Sequence, residues 1–232
     1  MTDRINSEAQ NFAQRFWNGK ILNWEAARYD REVGKDQWLE RIATRSSHSV
    51  RYRMERAKTL LIPRVKDRVI VELGCGTGRL AEPLLAAGAK HYIGIDFAPS
   101  AIEQAQNRIA TQGLSSQAEF QVQSIDQTTP PSSPALVFSL GLLDWLNDEQ
   151  LAFLFQKWSG IPFLHSFSER RLSPGQWLHR LYVYLAYGHR SQGYSPRYYS
   201  AAKLIELAQR SGAVTPSLQR DPALSFGTFL LS

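Results

Sequence analysis

The stretch Val69-Ile-Val-Glu-Leu-Gly-Cys-Gly-Thr-Gly-Arg79 joins a short β-branched run to a glycine-rich turn, and the residues after it take up helical spacing. A strand that ends in such a turn and re-enters as a helix is a ligand loop. Gly74, Gly76 and Gly78 allow backbone torsions and close approaches that a Cβ would block, and the helix start directs free N–H groups at the ligand. The third glycine follows the second by two positions, whereas the dinucleotide fingerprint G-x-G-x-x-G spaces them by three, which argues against NAD. In the next β-like run, Tyr92-Ile-Gly-Ile-Asp96, a carboxylate stands 20 positions beyond Gly76, where it can accept both hydroxyls of a ribose. These features point to a nucleoside-containing ligand with no need for a pyrophosphate.

Outward from this loop, short β-branched runs alternate with helical segments, the pattern of a parallel sheet with crossover helices. Strands are predicted near 69–73, 91–95, 118–123, 135–140 and 161–166, and helices near 78–87, 99–112, 148–159 and 200–211. Pro99 or Ser100, Asp148 and Ser200 supply helix start signals. Two terminal runs, 214–219 and 224–231, are separated by Asp221-Pro222 and predict a closing hairpin. Upstream, Phe12 with Phe16, Trp38 with Ile42, and Val50 with Met54 share helical faces, and Pro63 stops the last helix. The division expected is a basic helical extension over 1–62 and an α/β domain over 63–232 with an insertion at about 170–199.

The 232 residues suit one α/β core with extensions, and 43% hydrophobic against 21% charged residues is globular composition. Cys75 is the single cysteine, so no intramolecular disulfide is possible, and MTDRINSEAQ lacks the apolar core of a signal peptide; a cytoplasmic location is expected. The longest apolar run, 135–146, is interrupted by Asp144, so no membrane span is expected. Of the 27 Lys/Arg and 21 Asp/Glu, 15 and 9 lie in residues 1–68, leaving 12 against 12 beyond. A basic segment of this kind fits an anionic substrate, a lipid surface or nucleic acid, and it equally fits a solvated helical face.

The paired motifs ELGCGTG and GID resemble those of class I S-adenosylmethionine-dependent methyltransferases, and the resemblance extends over about residues 50–232. It implies a Rossmann-like, doubly wound, mostly parallel seven-stranded sheet with an antiparallel C-terminal hairpin behind the N-terminal helical extension. It also implies S-adenosylmethionine as cofactor, S-adenosylhomocysteine as product, and no metal. Carried over by position, Glu72 and the backbone of Gly74, Cys75, Gly76 and Gly78 would hold the methionine part, Asp96 the ribose, and Phe97 would flank the adenine. Ser124 and Ile125 would meet the adenine amino group where the family often has an acid, with Asp126 the alternative in a shifted register; Leu140 would complete the cofactor wall. Cys75 lies inside the turn with no histidine near it in sequence, and reads as a small buried filler rather than a nucleophile.

Methyl transfer from a sulfonium is an in-line displacement, so alignment is the main requirement and a base is needed only where the acceptor carries a proton. After the fourth strand this chain has Ser139-Leu-Gly-Leu-Leu-Asp-Trp145 where base-amino methyltransferases carry Asn/Asp-Pro-Pro-Tyr/Phe. Pro130-Pro131 precedes that strand and reads as a turn, and no paired-glutamate loop like that of protein arginine methyltransferases is present. Small molecules, or their carrier- or lipid-linked forms, are the expected acceptors. Asp144 is a candidate base or acceptor anchor, or else a cap or turn residue. His165 is a second candidate base, or else a core histidine.

Trp145, Glu169, Arg197, Tyr198 and Tyr199 are the expected acceptor contacts, and the aromatic and arginine-rich insertion suits a planar or anionic ligand. Packing on the core or on a second subunit is the other use for that insertion, so the chain is expected to be a monomer or homodimer. Residues 1–50 are expected to cover the cleft, with Tyr29 or a neighbouring aromatic approaching it. Two other functions fit the same motifs: a non-catalytic S-adenosylmethionine-binding regulator, and an RNA methyltransferase using the basic segment. No RNA-binding motif supports the second, and nucleic acid is not an expected partner.

Overall fold

The computed structural model describes residues 2–26, 38–132, 135–171, 173, 176–177, 180, 196–212, 216–224 and 226–232, with the side chains of 2–11, 24 and 38–49 outside the description. Its elements are α1 (Thr2–Glu25), α2 (Trp38–Leu61), β1 (Val69–Leu73), α3 (Ala81–Ala86), β2 (His91–Asp96), α4 (Pro99–Thr111), β3 (Ala118–Val122), β4 (Ala135–Leu140), α5 (Asp148–Lys157), β5 (Phe163–Ser168), α6 (Ala201–Arg210), β6 (Ser217–Arg220) and β7 (Gly227–Leu231). The strands form one sheet in the order β3-β2-β1-β4-β5-β7-β6. β1 to β5 pair in parallel, while β7 runs antiparallel to both β5 and β6. This is the doubly wound sheet with a terminal hairpin that the resemblance implies.

Strand alternation sorts the core into two layers. Ile70, Tyr92, Phe120, Leu136, Phe138 and Leu164 face α3, α4 and the C-terminal half of α2, which contributes Ala57, Leu60 and Leu61 to the same cluster. Val69, Val71, Leu73, Val137, Phe163 and Phe167 face α5 and α6. The helices hold to these faces through ordinary periodicity; in α4 the buried side chains are Ala101, Ile102, Ala105 and Ile109. The strand order reverses between β2 and β4, on either side of β1, so the cleft opens above the carboxyl end of β1, where open α/β sheets bind ligands.

Several boundaries differ from the sequence reading for local reasons. β5 starts at Phe163 rather than 161, because Gly160 has φ 75° and the chain is still turning there. α3 starts at Ala81 rather than 78, because Gly78 N–H and Ala81 N–H first close two turns onto the carbonyls of Cys75 and Gly78. The hairpin strands likewise start later than expected, at Ser217 and Gly227. The cap of α5 is Asn147, not Asp148: its side chain accepts from Gln150 N–H at 2.8 Å while Gln150 Oε1 accepts from Asn147 N–H at 2.9 Å. No described helix is long and apolar enough to cross a membrane.

Candidate active site

The three loop glycines have three different reasons to lack a side chain. All have positive φ, at 70° for Gly74, 52° for Gly76 and 66° for Gly78. A Cβ on Gly78 would stand 2.7 Å from the ring of Phe120, so this glycine serves the contact of loop with sheet rather than a ligand. A Cβ on Gly74 would press on Leu142 at 3.3 Å. Only at Gly76 does the open side meet a polar group, the carboxylate of Glu25 at the end of α1. Gly74 N–H and Cys75 N–H both donate to Ile95 O, at 2.8 and 3.1 Å, which ties the turn to the end of β2.

Asp96 finishes that tie. Its Oδ2 accepts from Gly76 N–H at 2.9 Å and its Oδ1 from Ala98 N–H at 2.9 Å, so one carboxylate spans the loop after β1 and the turn into α4. Burial raises it to about 6, opposed by those amide hydrogen bonds. Beneath the loop, Glu72 is 4% exposed and accepts from the Tyr92 hydroxyl. Burial raises Glu72 to about 8, and Glu25 and Asp96 push in the same direction. Asp96 and Glu72 thus place carboxyl acceptors at the loop, which fit a ligand that brings positive charge and N–H donors, as the sulfonium and ammonium of S-adenosylmethionine do. Burial, helped by these same carboxylates, pushes the Cys75 thiol well up, and a thiolate nucleophile there is disfavoured.

Phe97 is half-buried, and its carbonyl accepts from Gln14 Nε2 of α1 at 2.7 Å. Ser124 caps the short turn 125–127, and its hydroxyl donates to Asp126, so the two residues weighed for the adenine contact are partners of each other. Ile125 and Leu140 are half-buried beside the core. α1 lies across this side of the cleft: Ile21 packs on Ala98 and Ala101, Asn18 Oδ1 accepts from Ser100 N–H at 2.9 Å, and the edge of Trp17 meets Trp145 with ring centroids 4.9 Å apart. The start of α4, which has no side-chain cap of its own, is thus capped from a helix 82 residues away. Tyr29, expected in this cover, lies outside the described residues; Trp17 is the aromatic found there.

The residues expected to meet the acceptor separate into two groups. Asp144 is 6% exposed, and its two oxygens accept from Ser168 N–H at 2.6 Å and Ser168 Oγ at 2.8 Å. Burial raises it to about 6, with the Arg53 guanidinium and the Ser168 hydrogen bonds opposing. Arg53 of α2 stands over the turn after β4, 3.2 Å from where a Cβ on Gly141 would be. Tyr198 is half-buried near Asp144, with the Arg180 guanidinium 5.7 Å from its ring centroid; burial pushes its hydroxyl up to about 12. Arg197 is exposed, and its N–H donates to Asp144 O at 2.6 Å.

Three expected site residues are instead absorbed into the fold. His165 is 1% exposed, stacks on Phe163 at 5.3 Å and bonds Ser139 Oγ through Nδ1 at 2.9 Å; burial lowers it to about 3, so the ring is neutral and sits in the α5 layer rather than the cleft. Glu169 accepts from Arg220, Thr228 and Arg171, and these hydrogen bonds hold it down at about 2. Its carboxylate clamps the terminal hairpin. Tyr199 is buried in the α5 and α6 cluster, and its hydroxyl donates to Leu146 O. Of the rest of the 170–199 insertion, the described Trp177 is 68% exposed, and most other residues lie outside the description.

Glu25, Trp17 and Arg53 are brought to the cleft without any motif that marks them, while Arg79, which ends the glycine-loop stretch, carries no role that the motif itself shows. Among the described residues no group of three or more His, Cys, Asp or Glu could hold a metal.

A methyltransferase-domain family matches residues 70–161, from β1 to the turn before β5. This segment is therefore similar to a methyltransferase domain, set in a Rossmann-like fold. Ribosomal protein L11 methyltransferase of Tolumonas auensis is 42% identical over 56 residues, 24% of this chain and 19% of that protein. Malonyl-[acyl-carrier protein] O-methyltransferase 1 of Ilyobacter polytropus is 28% identical over 89 residues, 38% of this chain and 32% of that protein. The chain thus spans a third or less of these relatives. Among solved structures, magnesium protoporphyrin IX methyltransferase of Synechocystis with bound S-adenosylhomocysteine aligns over 96% of this chain and 98% of that one, with TM-score 0.68 and 15% identity. The DhpI complex with the same product aligns over 95% and 94%, with TM-score 0.59 and 14% identity. At these identities the likeness is one of fold.

Proposed function

We propose that this chain transfers a methyl group from S-adenosylmethionine to a small anionic acceptor at oxygen or nitrogen. The observation that carries the reading is Asp96, whose carboxylate at the end of β2 ties the glycine loop at Gly76 to the turn at Ala98, where a ribose would be held. When bound, S-adenosylmethionine supplies an electrophilic methyl on a positively charged sulfur. The chain aligns the acceptor and excludes water. Trp145 and Trp17 offer apolar edges to a planar body, while Arg53 and Arg180 offer positive charge beside Gly141 and Tyr198.

Asp144 is engaged by Ser168 on both oxygens, an arrangement suited to holding the wall and less suited to taking a proton. An acceptor atom that arrives already deprotonated, such as a carboxylate oxygen, fits this wall best. The test is a methyl-transfer assay with labelled cofactor over a panel of small aromatic and aliphatic acids, their amides, and amines. Turnover of acids that exceeds turnover of the matching amides supports the reading. Binding of S-adenosylhomocysteine with no turnover of any small acceptor would favour the regulatory alternative.

A further inference from the structure

Glu25 is 6% exposed although it sits at the end of a surface helix, and three donors gather its carboxylate: Thr77 N–H at 3.1 Å, the Thr77 hydroxyl at 2.5 Å, and Arg79 Nε at 3.0 Å. Its Oε1 lies well inside contact distance of the point where a side chain on Gly76 would begin. It therefore occupies the open side of the one loop glycine that does not face apolar packing. Glu72 and Asp96 lie close enough for Glu25 to help raise both of them, so a further carboxylate here works against its neighbours. What holds it is a set of donors suited to a carboxylate: an amide, a hydroxyl and a guanidinium.

We propose that Thr77 and Arg79 form a carboxylate subsite at the amino-acid end of the cofactor seat, and that Glu25 competes with the cofactor's own carboxylate for it. The proposal rests on the cofactor assignment above. S-adenosylmethionine and its product both carry an α-carboxylate, and a ligand that reaches the backbone at Gly76 meets Glu25 first. Two carboxylates cannot share these donors without repulsion, so the cofactor's amino-acid end and Glu25 exclude each other. When Glu25 leaves, α1 keeps its holds through Gln14, Asn18 and Ile21 but loses its last residue's anchor. Cofactor binding is thereby coupled to the helix that carries Trp17 against Trp145.

The experiment is calorimetry with two ligands, S-adenosylhomocysteine and 5′-methylthioadenosine, which has the nucleoside and thioether but no amino-acid end. Removing a competitor that holds the competent state to a fraction of molecules raises apparent affinity by the inverse of that fraction. Glu25→Gln and Glu25→Ala are expected to bind S-adenosylhomocysteine roughly three- to tenfold more tightly than wild type, with methylthioadenosine unchanged. Adding Arg79→Ala to Glu25→Ala should reverse the gain for S-adenosylhomocysteine alone. Unchanged or weaker binding of S-adenosylhomocysteine in both Glu25 variants, beside clear binding by wild type, overturns the subsite and leaves the cofactor assignment standing. Equal tightening of both ligands also overturns it, because Glu25 would then block the nucleoside rather than the amino-acid end. Failure of wild type to bind either ligand at millimolar concentration removes the cofactor assignment and the subsite together.

Discussion

The two sides of the cleft are built from different material. On the cofactor side the contacts come from backbone amides and one carboxylate between Gly74 and Ala98, a short span whose parts are neighbours through parallel pairing of β1 with β2. On the proposed acceptor side the groups come from side chains of α1, α2, the turn after β4 and the segment before α6, which are far apart in the sequence. A backbone site tolerates little change in conformation and so leaves a readable spacing of glycines. A side-chain site can be assembled from many sequences, and leaves no spacing to read.

The largest expected effect probes the cofactor side. Asp96→Ala removes the proposed ribose acceptor and also frees the amides of Gly76 and Ala98, and should weaken S-adenosylhomocysteine binding by about 2–3 kcal/mol in calorimetry. Affinity equal to wild type would show that the loop and Asp96 do not form one unit. The acceptor side should respond differently. Asp144→Asn keeps one acceptor for Ser168 and should lower stability by about 1–2 kcal/mol, with turnover falling and S-adenosylhomocysteine affinity unchanged. Ser168→Ala should reproduce part of that loss of turnover if Asp144 acts by holding the wall. Full activity in Ser168→Ala beside an inactive Asp144→Asn would make Asp144 a base instead.

A smaller effect is expected at His165, where sequence reasoning placed a possible base and the structure places a stacked, neutral ring. His165→Gln should lower the melting temperature while KM and cofactor affinity stay near wild type; a large loss of kcat at unchanged melting temperature would return the residue to the site. A further effect is one of pH. Glu72 is raised by burial from 4.5 to about 8, so the folded chain holds its proton more tightly than the unfolded one does. Stability from this group is fully present below about 4.5 and is lost as pH rises through about 8. Glu72→Gln has no proton to lose, and should match wild type near pH 5 and melt higher than wild type near pH 9. Parallel melting curves for the two proteins across that range would mean that Glu72 is not held in its neutral form.

The sequence by itself determined the order of strands and helices, the glycine turn and the acid at the end of the next strand. Each of these depends on local periodicity or on a torsion that only glycine adopts easily, and both are visible without knowing what lies opposite. Only the tertiary structure decided what each side chain does. Gly78 meets Phe120, Glu169 is clamped by Arg171 and Arg220, and Tyr199 and His165 are taken into the core, because pleat direction and the neighbours across the sheet set which way a residue points. Glu25, Trp17 and Arg53 show the same limit from the other direction. A helical pattern says which face is apolar, but the polar residue that ends up over a ligand loop depends on where the helix docks, and docking is decided by packing between segments far apart in the chain.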